Sequence, residues 1–222
     1  MPLTLPDGRT VALAGATGLV GRECLDLLLD DPGVTHVNAL VRRPLRDVPD
    51  HPKLVQKVID FDHLQGHAEC LEVDQVICAL GTTMREAGSE DAFRKVDYEY
   101  PLRLARYGLS RGARHYLLVS AVGADPASRV FYTRIKGETE RAISALEYPS
   151  LTIVRPSLLL GEREESRLGE ELGKRIGWLT PRRFRPVHAH QVASALVRAA
   201  REDAPGRRII ENAELRREPD AE

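Results

Sequence analysis

The sequence has few cysteines and almost no net charge. Three of its 222 residues are Cys, and none stand in a CxxC spacing, so a disulfide framework is excluded and the reducing cytosol is the expected compartment. Thirty-two Lys and Arg residues balance 33 Asp and Glu residues, which leaves a formal net charge of -1. Because no overall field would attract nucleic acid or an anionic membrane, any anion site must be local.

Long hydrophobic runs are also missing. No apolar run approaches the roughly 18 residues that a membrane span requires, and the first ten residues lack the basic and apolar segments of a signal peptide. We therefore expect a cytoplasmic protein without membrane contact. The chain is 42% hydrophobic and 29% charged, which is typical of a globular domain and excludes collagen-like and disordered classes.

Six short apolar segments alternate with segments of helical spacing. The apolar segments are rich in Val, Ile and Leu, as parallel strands covered on both faces are; they lie at 10–15, 36–41, 54–60, 74–80, 115–121 and 151–156. Apolar residues at helical spacing predict helices at 18–30, 90–109, 129–146 and 190–201, and a less regular one at 61–71. This alternation predicts an α/β protein with a doubly wound parallel sheet, the Rossmann fold.

A glycine motif follows the first predicted strand and opens the first helix. Gly15 permits a tight turn, Gly18 lets the backbone approach a pyrophosphate, and Gly21 allows the helix to pack closely on the strand. The amides and dipole of the helix N-terminus would then bind the phosphates of a dinucleotide. A turn that binds nothing is the alternative, but the position of the motif at the first strand of an alternating chain favours the dinucleotide.

The end of the second strand indicates which dinucleotide. NAD-binding chains place Asp or Glu there to hold the ribose 2′-hydroxyl, whereas this chain has Arg42 and Arg43. Two guanidinium groups suit a 2′-phosphate and stacking on adenine, so we expect NADP(H); a pair of solvated arginines is the alternative. Asp60 and Phe61, after the third strand, are candidate neighbours of the adenine.

A Tyr-x-x-x-Lys pair lies on the helix predicted at 129–146. Tyr132 and Lys136 are one helical turn apart and point the same way. A nearby ammonium favours the phenolate form, so Tyr132 could act as a general acid or base near neutral pH. Ser120, at the end of the fifth strand, could hold a substrate oxygen. Alone, such a pair is more often a surface contact, but here it follows a glycine motif and five strands.

Together these motifs resemble the atypical short-chain dehydrogenases/reductases, and in particular the Tat-interacting-protein oxidoreductases, a subfamily of NADPH-binding Rossmann proteins. The resemblance runs from about residue 11 to 201 and rests on GATGLVG (15–21), CALGTT (78–83), FRKVDYEY (93–100), LLVSAVGAD (117–125), YTRIKGETE (132–140) and RPSLLLGEREESRLGE (155–170). It implies that Tyr132 and Lys136 are catalytic. It also implies a cofactor site in four parts: Gly15, Thr17, Gly18, Leu19 and Val20 at the pyrophosphate, Arg42 and Arg43 at the 2′-phosphate, Leu80, Gly81 and Thr82 near the nicotinamide ribose, and Pro156, Ser157 and Leu158 beside the nicotinamide.

One position departs from the family pattern. The resemblance implies two adjacent serines where this chain has Ser120 and Ala121. If the catalytic serine is the second of them, Ala121 takes its place, and Thr82 or Ser157 would have to donate to the substrate oxygen. Turnover would then be weak or absent.

We expect one NAD(P)-binding domain over residues 1–210, because the region after Pro156 is short and no flexible linker precedes it. The Gly- and Pro-punctuated residues 157–190 are expected to cap its substrate side, and the charged residues 211–222 to form a frayed tail. No metal is expected, since the three potential ligands His63, His67 and Cys70 lack a fourth.

We therefore expect an NADPH-dependent oxidoreductase acting on a small carbonyl or alcohol substrate. A non-catalytic NADPH-binding regulator that acts through a protein partner is the alternative, motivated by Ala121. A nucleotide-sugar epimerase or dehydratase ranks third, because only about 65 residues follow Pro156 and such enzymes have a larger substrate domain.

Overall fold

The computed structural model describes residues 8–45, 48, 50–160 and 181–217. The described strands are β1 (Arg9–Ala14), β2 (Val34–Val41), β3 (Leu54–Val58), β4 (Gln75–Cys78), β5 (His115–Val119), β6 (Ser150–Arg155), β7 (Leu159–Leu160), β8 (Val187–His188) and β9 (Gly206–Glu211). Seven of them form one parallel sheet in the order β3-β2-β1-β4-β5-β6-β9. The short strands β7 and β8 pair separately, also in parallel.

Helices connect the strands along the chain. They are α1 (Leu19–Asp30), a 3-10 helix (Phe61–Leu71), α2 (Met84–Ala87), α3 (Glu90–Arg94), a π turn (Lys95–Glu99), α4 (Tyr100–Ser110), α5 (Phe131–Ser144), a second 3-10 helix (Arg182–Phe184), α6 (Ala189–Glu202) and α7 (Asn212–Leu215). Within the described part of the chain, no helix has the length and apolar character needed to cross a membrane.

Both faces of the sheet are covered, as the apolar strands predict. Because successive side chains of a strand point to opposite faces, Val11 and Leu13 of β1 enter the core beneath α1 and α6. Ala12 and Ala14 enter the core beneath α4 and α5. This arrangement confirms the doubly wound parallel sheet.

The strand order places a crevice at one edge of the sheet. The chain leaves β1 on one side, returns through β2 and β3, and then crosses to β4 on the other side of β1. In such sheets ligands bind beyond the carboxyl ends of the strands at this switch point. The turn at Gly15 and the loop that follows Cys78 lie there, joined by a hydrogen bond of 2.9 Å from the Ala79 amide to the Ala14 carbonyl.

All six predicted strands are present, but β9 was not predicted. The prediction of a frayed tail over 211–222 is wrong for residues 211–215. Glu211 ends β9, and α7 follows with Asn212 and Leu215 fully buried. The charged sequence suggested exposure, yet the Asn212 side chain accepts a hydrogen bond from the Ser157 amide (3.0 Å) and donates one to the Arg185 carbonyl (2.8 Å). Asn212 can be buried without a large cost because both the oxygen and the nitrogen of its side-chain amide form hydrogen bonds.

Two predicted helices differ in detail. The helix predicted over 90–109 contains a π turn between α3 and α4, and the helix predicted over 61–71 is a 3-10 helix with non-helical backbone angles at His63 and His67. Of the cap predicted over 157–190, residues 161–180 lie outside the described residues.

Candidate functional site

Neighbouring backbone segments approach the glycine turn so closely that two of its positions have no room for a side chain. Gly15 has a φ of +95°, and a Cβ there would lie 2.5 Å from the Ala79 carbonyl oxygen. A Cβ at Gly21 would overlap the carbonyl oxygen of Gly15. Both positions therefore require glycine for the fold itself.

The N-terminus of α1 fits a phosphate. Gly18 is the N-cap, its helix end has no side-chain cap, and the first turn of α1 carries no acidic residue. The first amides of a helix, here those of Leu19 and Val20, have no acceptor within the helix. Thr17 and Gly18 are exposed, and a Cβ at Gly18 would meet only the Gly15 carbonyl oxygen, at 3.4 Å. An anion can therefore approach these amides without displacing a protein group.

The two arginines predicted at the 2′-phosphate lie on the same edge of the sheet. Arg42 and Arg43 directly follow β2 and are both exposed. Neither forms an ion pair with a residue that the structure describes. They are therefore available to an anionic group at this edge.

The side chains of the predicted adenine neighbours are engaged within the protein. The Asp60 carboxylate accepts from the Asp62 amide (2.9 Å) and contacts His63 Nδ1 at 2.8 Å. The hydrogen bond from His63 is the main reason that the pKa of Asp60 lies below its usual value. Phe61 is buried and packs on Tyr100, with 5.5 Å between ring centroids.

Lys136 is buried and forms an ion pair that the sequence did not predict. Its Nζ lies 2.7 Å from Asp97 Oδ1, and the side chains are 8% and 1% exposed. Burial lowers the pKa of Lys136, but the Asp97 carboxylate and, to a smaller extent, Tyr132 raise it above its usual value overall. Lys136 is therefore held as an ammonium inside the protein.

Asp97 reaches this position through the π turn between α3 and α4. Its Oδ2 accepts a hydrogen bond of 2.9 Å from the Thr82 amide, and its backbone carbonyl accepts one of 2.9 Å from the Thr139 hydroxyl. Sequence reasoning did not single out Asp97. A signal was present, since Asp97 stands one helical turn after the apolar Phe93 and so belongs to an inward face.

Tyr132 lies one turn before Lys136 on α5 and is partly open to solvent. Its side chain is 38% exposed, and its ring packs on Phe93 with 5.7 Å between centroids. The Tyr132 side chain is therefore accessible from solvent, whereas the Lys136 ammonium is buried.

The Ser120 hydroxyl has a hydrogen-bond partner within the protein and is not available to a substrate. It donates a hydrogen bond of 2.5 Å to Glu140 Oε1, and both residues are buried. Glu140 is also bound by Arg155, with Arg155 Nε 3.0 Å from Oε1 and Arg155 Nη2 2.6 Å from Oε2. Ala121, the other candidate position, is buried and has no hydroxyl.

Two further predicted segments border the ion pair and the end of β6. A Cβ on Gly81 would lie 3.6 Å from Asp97 Oδ1 and 3.9 Å from Lys136 Nζ, so the loop from Leu80 to Thr82 covers the pair. Beyond β6, Pro156 is buried and Leu158 is 61% exposed.

Ser157 and Thr82 carry the two hydroxyls that could replace that of a second serine, and the Ser157 hydroxyl already has a partner within the protein. The Ser157 hydroxyl donates to the Arg185 carbonyl at 2.5 Å. The Thr82 hydroxyl has only long contacts of 3.4 Å to Thr83 and Glu86 among the described residues. Thr82 is therefore the better placed to donate to a ligand.

Comparison with known proteins gives both a family and a fold. The model of a family described as NAD(P)H-binding matches residues 15–203. Protein FMP52, mitochondrial, of Coccidioides immitis (strain RS) is 35% identical over 188 residues, which cover 77% of this chain and 76% of that protein. Protein HTATIP2 of Rattus norvegicus is 34% identical over 172 residues, which cover 77% of this chain and 71% of that protein.

Solved structures share the fold at low sequence identity. MoeE5 in complex with UDP-glucuronic acid and NAD has a TM-score of 0.70 at 19% identity, covering 91% of this chain and 75% of that chain. The Bordetella bronchiseptica enzyme WbmG in complex with NAD has a TM-score of 0.71 at 10% identity, covering 96% of this chain and 75% of that chain. At such identities the likeness concerns the Rossmann-like fold alone.

Proposed function

Because this chain belongs to the NAD(P)H-binding family of atypical short-chain dehydrogenases/reductases, we propose that it is an NADPH-dependent oxidoreductase that interconverts a small carbonyl compound and its alcohol. The observation that carries this proposal is the arrangement of Tyr132 and Lys136. A partly exposed phenol lies one helical turn from a buried ammonium, at the edge of the sheet where the helix N-terminus of α1 is open to a phosphate.

Different residues of this chain would bind different parts of the cofactor. The amides of Leu19 and Val20, together with the open surface at Gly18, would hold the pyrophosphate. Arg42 and Arg43 would hold a 2′-phosphate, and this supports NADPH rather than NADH as the cofactor. When bound, the cofactor supplies a hydride for the carbonyl carbon.

Proton transfer falls to Tyr132. Its phenol donates a hydrogen bond and then a proton to the carbonyl oxygen, so that hydride and proton together convert the carbonyl to the alcohol. Lys136 remains an ammonium and stabilises the phenolate that is left. The Thr82 hydroxyl is the group that we assign as a second donor to the substrate oxygen, since the hydroxyls of Ser120 and Ser157 are already used.

A second function is favoured by one observation. The serine at the end of β5 donates to Glu140, and its neighbour is Ala121, so neither position offers the substrate a hydroxyl proton. A non-catalytic regulator that binds NADPH and acts through a protein partner would need no such donor. In that case NADPH would bind without being oxidised, and its binding would change the affinity for the partner.

The test uses the purified full chain and a panel of small aldehydes and ketones. Turnover is measured as the loss of NADPH absorbance, and NADPH affinity is measured separately by calorimetry. We expect Tyr132→Phe to lower turnover by about 100-fold or more, the usual contribution of a general acid, while NADPH affinity stays unchanged. The control is Tyr107→Phe in α4, which removes a phenol elsewhere and should leave both quantities as in the wild type.

The outcomes separate the two functions. Full turnover in Tyr132→Phe would overturn the proposed mechanism. Tight NADPH binding by the wild type, without oxidation by any compound of the panel, would instead favour the regulator.

A further inference from the structure

The arginine turn, residues 42–45, is anchored at both of its ends. Just before it, the carbonyl of Val41, the last residue of β2, accepts a hydrogen bond of 2.9 Å from the Ile59 amide. At its far end, the Leu45 amide donates a hydrogen bond to Gln56 Oε1 at 2.8 Å. The two exposed arginines of the proposed 2′-phosphate site therefore lie between a backbone contact and a side-chain contact, both of which come from β3 or the residue beyond its end.

Gln56 reaches the arginine turn because of its place in β3. It lies opposite Ala39 of β2 in the parallel register, and residues paired in this way point to the same face of the sheet. The side chain of Leu45 packs against the core on that face, which also contains Ala39 and Val41. The glutamine side chain thus joins the edge strand to a part of the chain that has already left the backbone ladder.

Pro44 restricts the same turn from within. Its ring fixes its own φ, and a proline also limits the backbone angles of the residue before it, which is Arg43. Pro44 is exposed, so its contribution to the turn is conformational rather than one of core packing. A hydrogen bond at the end of the turn and a proline inside it therefore hold the same short segment.

An anchored turn presents its guanidinium groups to an anion at a lower cost in entropy. A mobile turn would lose backbone freedom when its arginines bind a phosphate, whereas an anchored turn has already lost that freedom on folding. The side chains of Arg42 and Arg43 are themselves exposed, so the backbone of the turn is what directs them. Their position then depends on Gln56, a residue that carries no charge.

We propose that Gln56 is a positioning residue for the 2′-phosphate site. Through the Leu45 amide it holds the turn that carries Arg42 and Arg43, and it thereby contributes to a preference for NADPH over NADH without touching either cofactor. This inference rests on the NADPH site of the proposed function, but it requires neither a substrate nor turnover.

The test measures the affinities of the purified full chain for NADPH and for NADH by calorimetry. Gln56→Met keeps nearly the length of the side chain but has no acceptor for the Leu45 amide. We expect it to weaken NADPH binding about three- to tenfold, the effect of ordering one or two side chains that the fold no longer holds in place, and to leave NADH affinity unchanged. Gln65→Met, at an exposed position of the 3-10 helix over Phe61–Leu71, is the matched control and should leave both affinities unchanged.

A background without the arginines shows whether Gln56 acts through them. In Arg42→Ala/Arg43→Ala the guanidinium groups are gone, so adding Gln56→Met should not weaken NADPH binding any further. A residue that only supports the fold, or that contacts the cofactor itself, would weaken NADPH binding by the same factor in both backgrounds.

A second variant loosens the turn without changing Gln56, and it keeps the test available if Gln56→Met does not fold. Pro44→Gly frees φ at an exposed position and removes no hydrogen-bond donor, since proline has no amide hydrogen. It should lower NADPH affinity and spare NADH affinity, as Gln56→Met does. Circular dichroism and thermal unfolding establish that each variant is folded.

Failure of the inference is distinguishable from failure of the proposed function. NADPH affinity that stays at the wild-type level in Gln56→Met, or in Pro44→Gly, while the arginine variants lose it would overturn the inference alone. An equal loss of NADH affinity, or an effect of Gln56→Met that persists without the arginines, would do the same. Equal affinities of the wild type for NADPH and NADH would refute the NADPH site together with the inference. Absence of turnover with every carbonyl would refute only the oxidoreductase.

Discussion

The hydroxyl of Ser120 and the carboxylate of Glu140 are joined by a buried hydrogen bond of 2.5 Å. Because Glu140 is also bound by Arg155 at the end of β6, the contact links α5 to two neighbouring strands. The serine that follows β5 thus supports the ion pair of Glu140 and Arg155, and this is a structural role that its place in the sequence did not indicate.

Replacing Ser120 should therefore lower stability. We expect Ser120→Ala to reduce the free energy of unfolding by about 1 to 3 kcal/mol, the cost of leaving a charged acceptor without its buried donor. Urea unfolding measures this change, provided that the unfolding free energy keeps the same dependence on urea concentration in the variant. Ser110→Ala, at an exposed helix end, is the control and should change stability by less than about 0.5 kcal/mol. A loss of turnover without a loss of stability would assign Ser120 to the substrate instead.

Arg42 and Arg43 should decide the choice between the two nicotinamide dinucleotides. We expect the wild type to bind NADPH more tightly than NADH, and each alanine variant to weaken NADPH binding by about tenfold, which corresponds to about 1.4 kcal/mol. NADH binding should hardly change, because NADH has no 2′-phosphate for the guanidinium groups to hold. Calorimetric titration measures both affinities, with Arg106→Ala, on the exposed side of α4, as the control. Equal affinities for NADPH and NADH in the wild type would contradict the assignment.

Gly18 and Gly21 should differ in what they are needed for. At Gly18 a methyl group would lie 3.4 Å from the nearest protein atom outside its immediate neighbours, so Gly18→Ala should fold normally but obstruct the pyrophosphate and weaken NADPH binding by about tenfold or more. At Gly21 a methyl would overlap the Gly15 carbonyl, so Gly21→Ala should unfold at much lower temperature. Thermal unfolding and NADPH titration separate the two effects.

The matched control for these glycines is Gly66→Ala. A Cβ at Gly66 would meet nothing within 4 Å, so this variant should keep both the melting temperature and the NADPH affinity. Normal NADPH binding by Gly18→Ala would show that the pyrophosphate does not lie at this turn.

Stability in acid should depend on Asp203. The pKa of Asp203 in the folded protein lies below its usual value of 3.8, chiefly because the imidazole of His115 is next to its carboxylate; His115 Nδ1 lies 2.9 Å from Asp203 Oδ1. Asp203 therefore binds a proton more tightly in the unfolded chain than in the folded protein. Its ionised carboxylate contributes fully to stability above about pH 4, and this contribution is lost as the pH falls through the pKa of Asp203 in the folded protein.

Urea unfolding between neutral pH and about pH 3 tests this linkage. Asp203→Asn should be less stable than the wild type at neutral pH, and the difference should shrink on acidification. Asparagine tolerates the left-handed backbone of this position, where φ is +42°. Glu147→Gln removes an exposed carboxylate and should follow the wild type throughout. A constant difference between Asp203→Asn and the wild type across this pH range would exclude the linkage.

Local patterns in the sequence were sufficient for much of the fold. The six apolar strands, the helices between them and the glycine turn depend on the order of neighbouring residues, through side-chain alternation, helical spacing and the space that Gly15 requires. The strand β9 was missed because Gly206–Glu211 is an edge strand that contains the exposed Arg207 and the half-buried Arg208. In so short a segment, the few apolar residues are too weak a pattern to predict a strand.

The sequence by itself determined the parallel sheet, the open helix N-terminus after Gly18 and the placement of Tyr132 one turn before Lys136, because each follows from residues close together in the chain. Only the tertiary structure decided the partners of these groups. Asp97 rather than Tyr132 forms the ion pair with the Lys136 ammonium, and Glu140 rather than a ligand accepts the hydrogen bond of the Ser120 hydroxyl. These pairs join residues that are distant in the chain, so they depend on how a π turn and two strands pack against α5, which neither periodicity nor spacing encodes.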